Sequence, residues 1–138
     1  MQHERGSSTK YWWGNQAPSC SKKDKNGASH DGGEKSDCYY KPNDKYRGTE
    51  LVGSYHSNQW KLYDTVGNLW EWTCSAYPKE SDYNGLETKC TNSNDSRYRV
   101  LRGGSWYIEP RLVRSAYRNG YAATIRINDV GFRLSRTR

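Results

Sequence analysis

Few residues in this 138-residue chain could do chemistry. Its thiols are Cys20, Cys38, Cys74 and Cys90, and its imidazoles are His3, His30 and His56. A thiolate can act as nucleophile, redox group or soft-metal ligand. The cysteines fall as two similarly spaced local pairs, and no C-x-x-C occurs, which argues against a zinc site. Two readings stay open. Disulfides Cys20–Cys38 and Cys74–Cys90 would each close a loop that lacks a core of its own, worth roughly 3 kcal/mol apiece in the chain-entropy model. Alternatively, these are four unrelated thiols. The histidines are scattered, and no nucleophile–base spacing is visible. The expectation is that no residue is catalytic.

The scaffold that must position side chains has little aliphatic material. Leu, Ile, Val and Phe number only 16, the mean hydropathy is −1.19 and the net charge is +7. Such values ordinarily accompany disorder. Six Trp and twelve Tyr argue the other way, since each aromatic ring can bury about 150–250 Å². A single domain over 1–138, with a small aromatic core and much loop, is expected. Its pI near 9.3 raises the question of nucleic acid. The Lys and Arg are dispersed, however, and no basic helix, zinc finger or RNA-binding motif is present, so no nucleic-acid partner is expected. No apolar run approaches the ~20 residues of a membrane span and no signal-peptide core is visible, so no membrane insertion is expected.

Along the chain, residues 1–10 are polar and expected to be disordered. Tyr11-Trp12-Trp13-Gly14-Asn15 reads as an aromatic anchor ending in a turn, and Ser19 to Thr49 as a long surface loop. Regular structure is expected to begin at Leu51 to Tyr55. After the turn Leu62 to Asn68, Leu69 to Thr73 reads as a strand with Trp70 and Trp72 on one face. Ser75 to Tyr98 reads as a second loop. Arg99 to Arg102 is an expected strand ending at Gly103-Gly104. Val113 to Arg118 and Val130 to Leu134 read as further strands, joined by a loop from Asn119 to Asp129.

Seven ordered blocks carry a resemblance. These are Trp13-Gly14-Asn15, Val52-Gly53-Ser54, Leu62-Tyr63-Asp64, Gly67-Asn68-Leu69-Trp70-Glu71-Trp72-Thr73, Arg102-Gly103-Gly104-Ser105-Trp106, Arg114-Ser115-Ala116-Tyr117-Arg118 and Gly131-Phe132-Arg133-Leu134. Together they resemble the C-terminal half of the formylglycine-generating-enzyme, or sulfatase-modifying-factor, family. That implies an α+β, C-type-lectin-like fold: a small antiparallel β-sheet with long loops and little helix. Two departures are visible. The helix-forming segment that opens the family is unmatched, and Lys61 stands where a Gly usually precedes Leu62-Tyr63-Asp64.

In the enzyme members a cysteine pair shortly after the Gly-Gly-Ser-aromatic block carries the oxidation chemistry. Here Tyr107, Ile108, Glu109 and Pro110 follow Trp106, and no cysteine occurs after Cys90. The resemblance also extends to the variable proteins of diversity-generating retroelements, which end in a similar segment with altered positions between fixed blocks. It implies a variable-type ligand-binding segment over 99–138, with Tyr107, Ile108, Glu109, Leu112, Tyr117, Gly120, Tyr121, Ile125, Ile127, Asn128 and Asp129 facing the ligand. All but Glu109 are reachable from an Asn codon altered at its adenines. Arg102 to Trp106, Arg114, Arg118 and Gly131 to Leu134 would hold the frame, with Val113 and Ala116 in the core.

No cofactor is expected, although the family can bind Ca²⁺ near the Trp-Glu-Trp block, where Asn68 and Glu71 match in position and supply the required oxygens. The expected function is a hypervariable receptor-recognition or adhesion protein of a virion or cell surface. Its partner would be a macromolecular surface ligand, protein or glycan, on a host or neighbouring cell. The alternative is a non-varying binding or accessory module of the same fold, its enzymatic activity lost.

Overall fold

The computed structural model describes residues 8–33, 38, 48–77, 90 and 98–135. Four strands form one sheet: β1 (Trp70–Ala76), β2 (Tyr98–Arg102), β3 (Asn119–Ala122) and β4 (Val130–Gly131), in the order β3-β2-β1-β4. The β1–β2 and β2–β3 pairs are antiparallel, and the two residues of β4 run parallel to β1. The little helix described is one 3-10 turn, Pro110–Leu112. The class is the small, mostly antiparallel sheet with long loops that the motif blocks implied.

The sheet forms where apolar residues let both faces be covered. Trp70, Val100 and Leu101 are fully buried. Burial of consecutive residues Val100 and Leu101 means β2 is packed on both faces, because successive side chains point opposite ways. A second cluster lies beside the sheet, built from Tyr11, Ala28, Val66 and Val113, with Trp12, Trp13 and Ile108 packed against it. Tyr11 and Trp13 stack at 4.9 Å between ring centroids, and Trp12 meets Trp13 edge-on. A few rings thus replace the missing aliphatics. The Tyr11 hydroxyl donates to the Pro110 carbonyl at 3.0 Å, and burial raises its pKa.

Several expected elements differ. Residues 1–7 lie outside the described set, but Lys10 is tied down: its N–H donates to Asn15 Oδ1 and its carbonyl accepts from Ser115 N–H. Leu51 to Tyr55 is a turn, with Leu51 and Val52 strongly exposed. Val113 to Arg118 is a series of bends and turns, whereas the strand occupies Asn119–Ala122, within the expected loop. Ala116 is exposed rather than core. Phe132 and Leu134 are 73% and 87% exposed, so Arg133 is the side chain of that block which holds the frame.

Both disulfides are formed, Cys20–Cys38 and Cys74–Cys90, with Cα–Cα separations of 5.5 and 4.8 Å. None of the four cysteines is a free thiol.

Candidate ligand-binding face

The turn after β2 shows how the frame is locked. Gly104 has φ +79, and a Cβ there would run into the Val113 side chain. Only glycine permits both the left-handed backbone and the approach of Val113 to the chain. Next to it, Ser105 is fully buried and its hydroxyl donates to Asp129 Oδ2 at 3.2 Å. Arg102, also buried, reaches the Ala116 and Tyr117 carbonyls through Nη1 at 3.4 and 3.3 Å. The fixed Arg therefore pins a bent stretch of backbone that has no ladder to pair with.

The eleven positions marked out by sequence fall into three runs. Tyr107, Ile108, Glu109 and Leu112 surround the 3-10 turn. Tyr107 is exposed and lies edge-on to Trp106, while Ile108 leans on the aromatic cluster and its carbonyl accepts from Asp31 N–H. Glu109 is exposed and pairs with Arg111 at 2.6 Å, which raises the Arg111 pKa; Leu112 is half-buried.

The second run leads into β3. Tyr117 is half-buried, tilted against Trp70 at 6.0 Å, with the Arg114 guanidinium 5.9 Å from its ring centroid. Gly120 and Tyr121 sit on β3 opposite Val100 and Arg99. The third run joins β3 to β4. Ile125 is half-buried in a turn, Ile127 and Asn128 are exposed, and Asp129 is partly buried. The Asp129 carbonyl accepts from Trp70 N–H at 2.9 Å.

Trp70 and Ser105 gather these runs. Trp70 touches Tyr117 through its ring and Asp129 through its backbone, while Ser105, two residues before Tyr107, holds the Asp129 carboxylate. Tyr107, Glu109, Ile127 and Asn128 present side chains to solvent. Ile108, Tyr117 and Asp129 also serve as packing or hydrogen-bonding members of the frame. Tyr77 was not singled out by the sequence, yet it lies over Gly120, where a Cβ would collide with its ring. No local pattern signals that contact, because strand register creates it. Burial lowers the Arg118 pKa, and the neighbouring Tyr77 opposes that shift.

Asn68 and Glu71, the residues matched to the family's Ca²⁺ position, are both engaged in hydrogen bonds within the chain. Arg133 donates from Nε to both Glu71 oxygens, at 3.0 and 3.2 Å, and from Nη2 to Oε1 at 2.7 Å. The Asn68 carboxamide oxygen accepts from Glu50 N–H at 2.9 Å, its Nδ2 donates to the Glu50 carbonyl, and its φ is +66. Asn68 thus acts as a backbone mimic at a left-handed corner. A guanidinium already occupies the carboxylate that Ca²⁺ would need. Among the described residues, no group of three or more His, Cys, Asp or Glu could hold a metal.

Residues 3–138 match the sulfatase-modifying factor enzyme 1-like domain. The chain belongs to that family. Relatives of this family member include the inactive C-alpha-formylglycine-generating enzyme 2 of Bos taurus, 37% identical over 67 residues, which are 48% of this chain and 18% of that protein. The formylglycine-generating enzyme of Mycobacterium tuberculosis is 28% identical over 96 residues, 62% of this chain and 32% of the enzyme. Among solved structures, PvdO from Pseudomonas aeruginosa superposes with a TM-score of 0.55 and 29% identity, covering 75% of this chain and 41% of PvdO. Treponema denticola variable protein 1 superposes with a TM-score of 0.52 and 25% identity, covering 76% of this chain and 34% of that protein. This family member therefore spans less than half of each of these proteins. Its neighbours share the C-type-lectin-like fold of the formylglycine-generating enzymes, and they include a diversity-generating-retroelement variable protein.

Proposed function

We propose that this chain is a ligand-binding protein that displays diversified C-terminal side chains on a fixed lectin-like frame, and that it is not an enzyme. The observation that carries the reading is the division of labour between residues 102 and 134. Arg102, Gly104, Ser105 and Arg133 are consumed in locking the backbone. Tyr107, Glu109, Ile127 and Asn128 stand in solvent between them. Substitution of exposed side chains on a locked backbone costs little stability, so recognition can change while folding does not. Exposed Tyr and Ile supply contact area and apolar anchoring.

The likeness to a variable protein supports this reading. The cysteines support the non-enzymatic part, because both pairs are spent in disulfides and none follows Cys90. The ligand would be a macromolecule on a host or neighbouring cell, met by a virion or cell surface.

Sequencing the locus across a natural population tests the proposal. Substitutions should concentrate at Tyr107 to Asp129, sparing Arg102, Ser105, Arg114 and Arg133, with a near-copy of the segment rich in Asn codons close by. Substitutions spread evenly over the chain would refute diversification and leave the non-varying binding module.

A further inference from the structure

The imidazole of His30 takes no part in the binding face, yet it is buried and its edge lies on a sulfur. Its Nε2 stands 3.8 Å from Cys38 Sγ, one end of the Cys20–Cys38 disulfide. Residues on both sides of His30 are bonded to the frame. The Ser29 carbonyl accepts from Asn68 N–H, and Asp31 N–H donates to the Ile108 carbonyl. Ala28 N–H donates to the Ser19 carbonyl at 2.8 Å, which sets Cys20 beside the same stretch. The ring and the disulfide are thus held together by backbone bonds that do not depend on either.

A disulfide sulfur carries no proton, so it can accept a hydrogen bond and cannot donate one. Nδ1 of His30 is buried and has no hydrogen-bond partner among the described residues. A proton on Nδ1 would leave a donor unmet there and set lone pair against lone pair between Nε2 and Sγ. The proton therefore belongs on Nε2, directed at Cys38. Burial favours the neutral ring, and the Asp31 carboxylate opposes that. Asp31 is itself engaged, accepting from Gly33 N–H through Oδ1.

In thiol–disulfide exchange a thiolate attacks one sulfur, and the other departs with the bonding pair, faster the lower its thiol pKa. A neighbouring imidazole lowers that pKa. The two ends also differ in access, since Cys20 is half-buried and Cys38 is 8% exposed. An incoming thiol meets Cys20 and expels Cys38 toward the ring. Cys74–Cys90, exposed at both ends, lacks this asymmetry.

We propose that Cys20–Cys38 is a thiol-exchange site at which a low-molecular-weight thiol adds to Cys20 while the His30 imidazole stabilises the departing Cys38 sulfur. The thiolate forms a bond to Cys20 Sγ, the Sγ–Sγ bond breaks, and its electron pair goes to Cys38 Sγ, facing Nε2–H. A second thiolate then attacks the sulfur of the first, which releases the small-molecule disulfide and leaves Cys20 reduced. Two thiols are oxidised, the protein disulfide is reduced, and two protons are taken up at Cys20 and at the Cys38–His30 pair. The site stands apart from the display reading, and neither requires the other.

Reaction of the full chain with glutathione, quenched in acid and read by peptide mass spectrometry, tests it. The first adduct should be on Cys20 and not on Cys38. In the reduced chain, alkylation of Cys38 against pH should show a midpoint below the ordinary thiol value of about 8.5. His30→Leu, which removes the N–H, should slow attack on Cys20 about threefold and raise the Cys38 midpoint. His30→Gln, which keeps an N–H donor, should recover part of both effects. Exchange at Cys74–Cys90 should be the same in all three proteins. Glutathione on Cys38, or a wild-type midpoint at or above the ordinary value, overturns the proposal. So do a rate and a midpoint that His30→Leu leaves unchanged. If both disulfides shift together, the variant has lost structure, and the two wild-type readouts decide.

Discussion

The Glu71–Arg133 clasp joins residues 62 apart in sequence and decides how the end of the chain is held against β1. Arg133 makes three N–H···O contacts to the carboxylate and a fourth, from Nη2 to the Tyr63 carbonyl, at 2.8 Å. The Glu71 side chain is 12% exposed and that of Arg133 is 30%. Removing one partner of a fully buried pair costs about 3–5 kcal/mol, because the other charge is left desolvated. The exposure of Arg133 lets solvent screen part of that, so Glu71→Gln should cost about 2–3 kcal/mol. Arg133→Gln should cost a similar amount. The double variant should fall short of additivity by about 1–2 kcal/mol, since the second substitution removes a charge already unpaired. Urea unfolding of the four proteins measures this, with the Glu71→Gln midpoint lowered by about 1 M or more for ordinary slopes. Additive costs, or a Glu71→Gln cost under about 0.5 kcal/mol, would refute the clasp. Millimolar Ca²⁺ should leave the wild-type midpoint unchanged, because the guanidinium holds the carboxylate; a clear rise would show that the cation displaces it.

Three further outcomes are expected. Replacing Cys20 and Cys38 together by Ser should lower stability by roughly 3 kcal/mol in the chain-entropy model, read as a urea midpoint against the oxidised parent. His30 is buried and its pKa is lowered by that burial, so the unfolded chain takes up the proton more readily than the folded one. Its contribution is complete above the ordinary value of about 6.5 and is lost as pH falls below it; unfolding midpoints measured from pH 7.5 to 5.5 should drop less steeply for His30→Gln. Lys61 adopts φ +60, with its N–H bonded to the Asn58 carbonyl. Lys61→Gly should raise stability by about 1 kcal/mol by relieving the left-handed strain, and a lowered thermal midpoint would contradict that account.

Much of the frame was legible because local chemistry dictated it. Gly103-Gly104 marked the end of β2, alternation around Trp70 marked β1, and cysteine spacing suggested the two loops that the disulfides close. The Gly expected at position 61 is explained by a backbone with positive φ there. Where the signal failed, burial had another origin. Val113 and Tyr117 look like alternating strand residues, yet Val113 is buried beneath Gly104 and Tyr117 leans on Trp70 from a bent chain. Asn119–Ala122 has no apolar alternation, and all four residues are half-buried; it becomes a strand because β2 offers it an edge.

By itself, then, the sequence determined the family and most of the blocks that hold the frame, and it offered the two loop closures as one of two readings, since these rest on turns, spacing and residue type. Tertiary structure alone decided which marked positions reach solvent, that Arg133 rather than Phe132 or Leu134 serves the frame, and that Tyr77 lies over Gly120. The physical reason is register. Hydrogen bonding between distant strands sets which side chains share a face, and a one-residue slip would exchange every one of them.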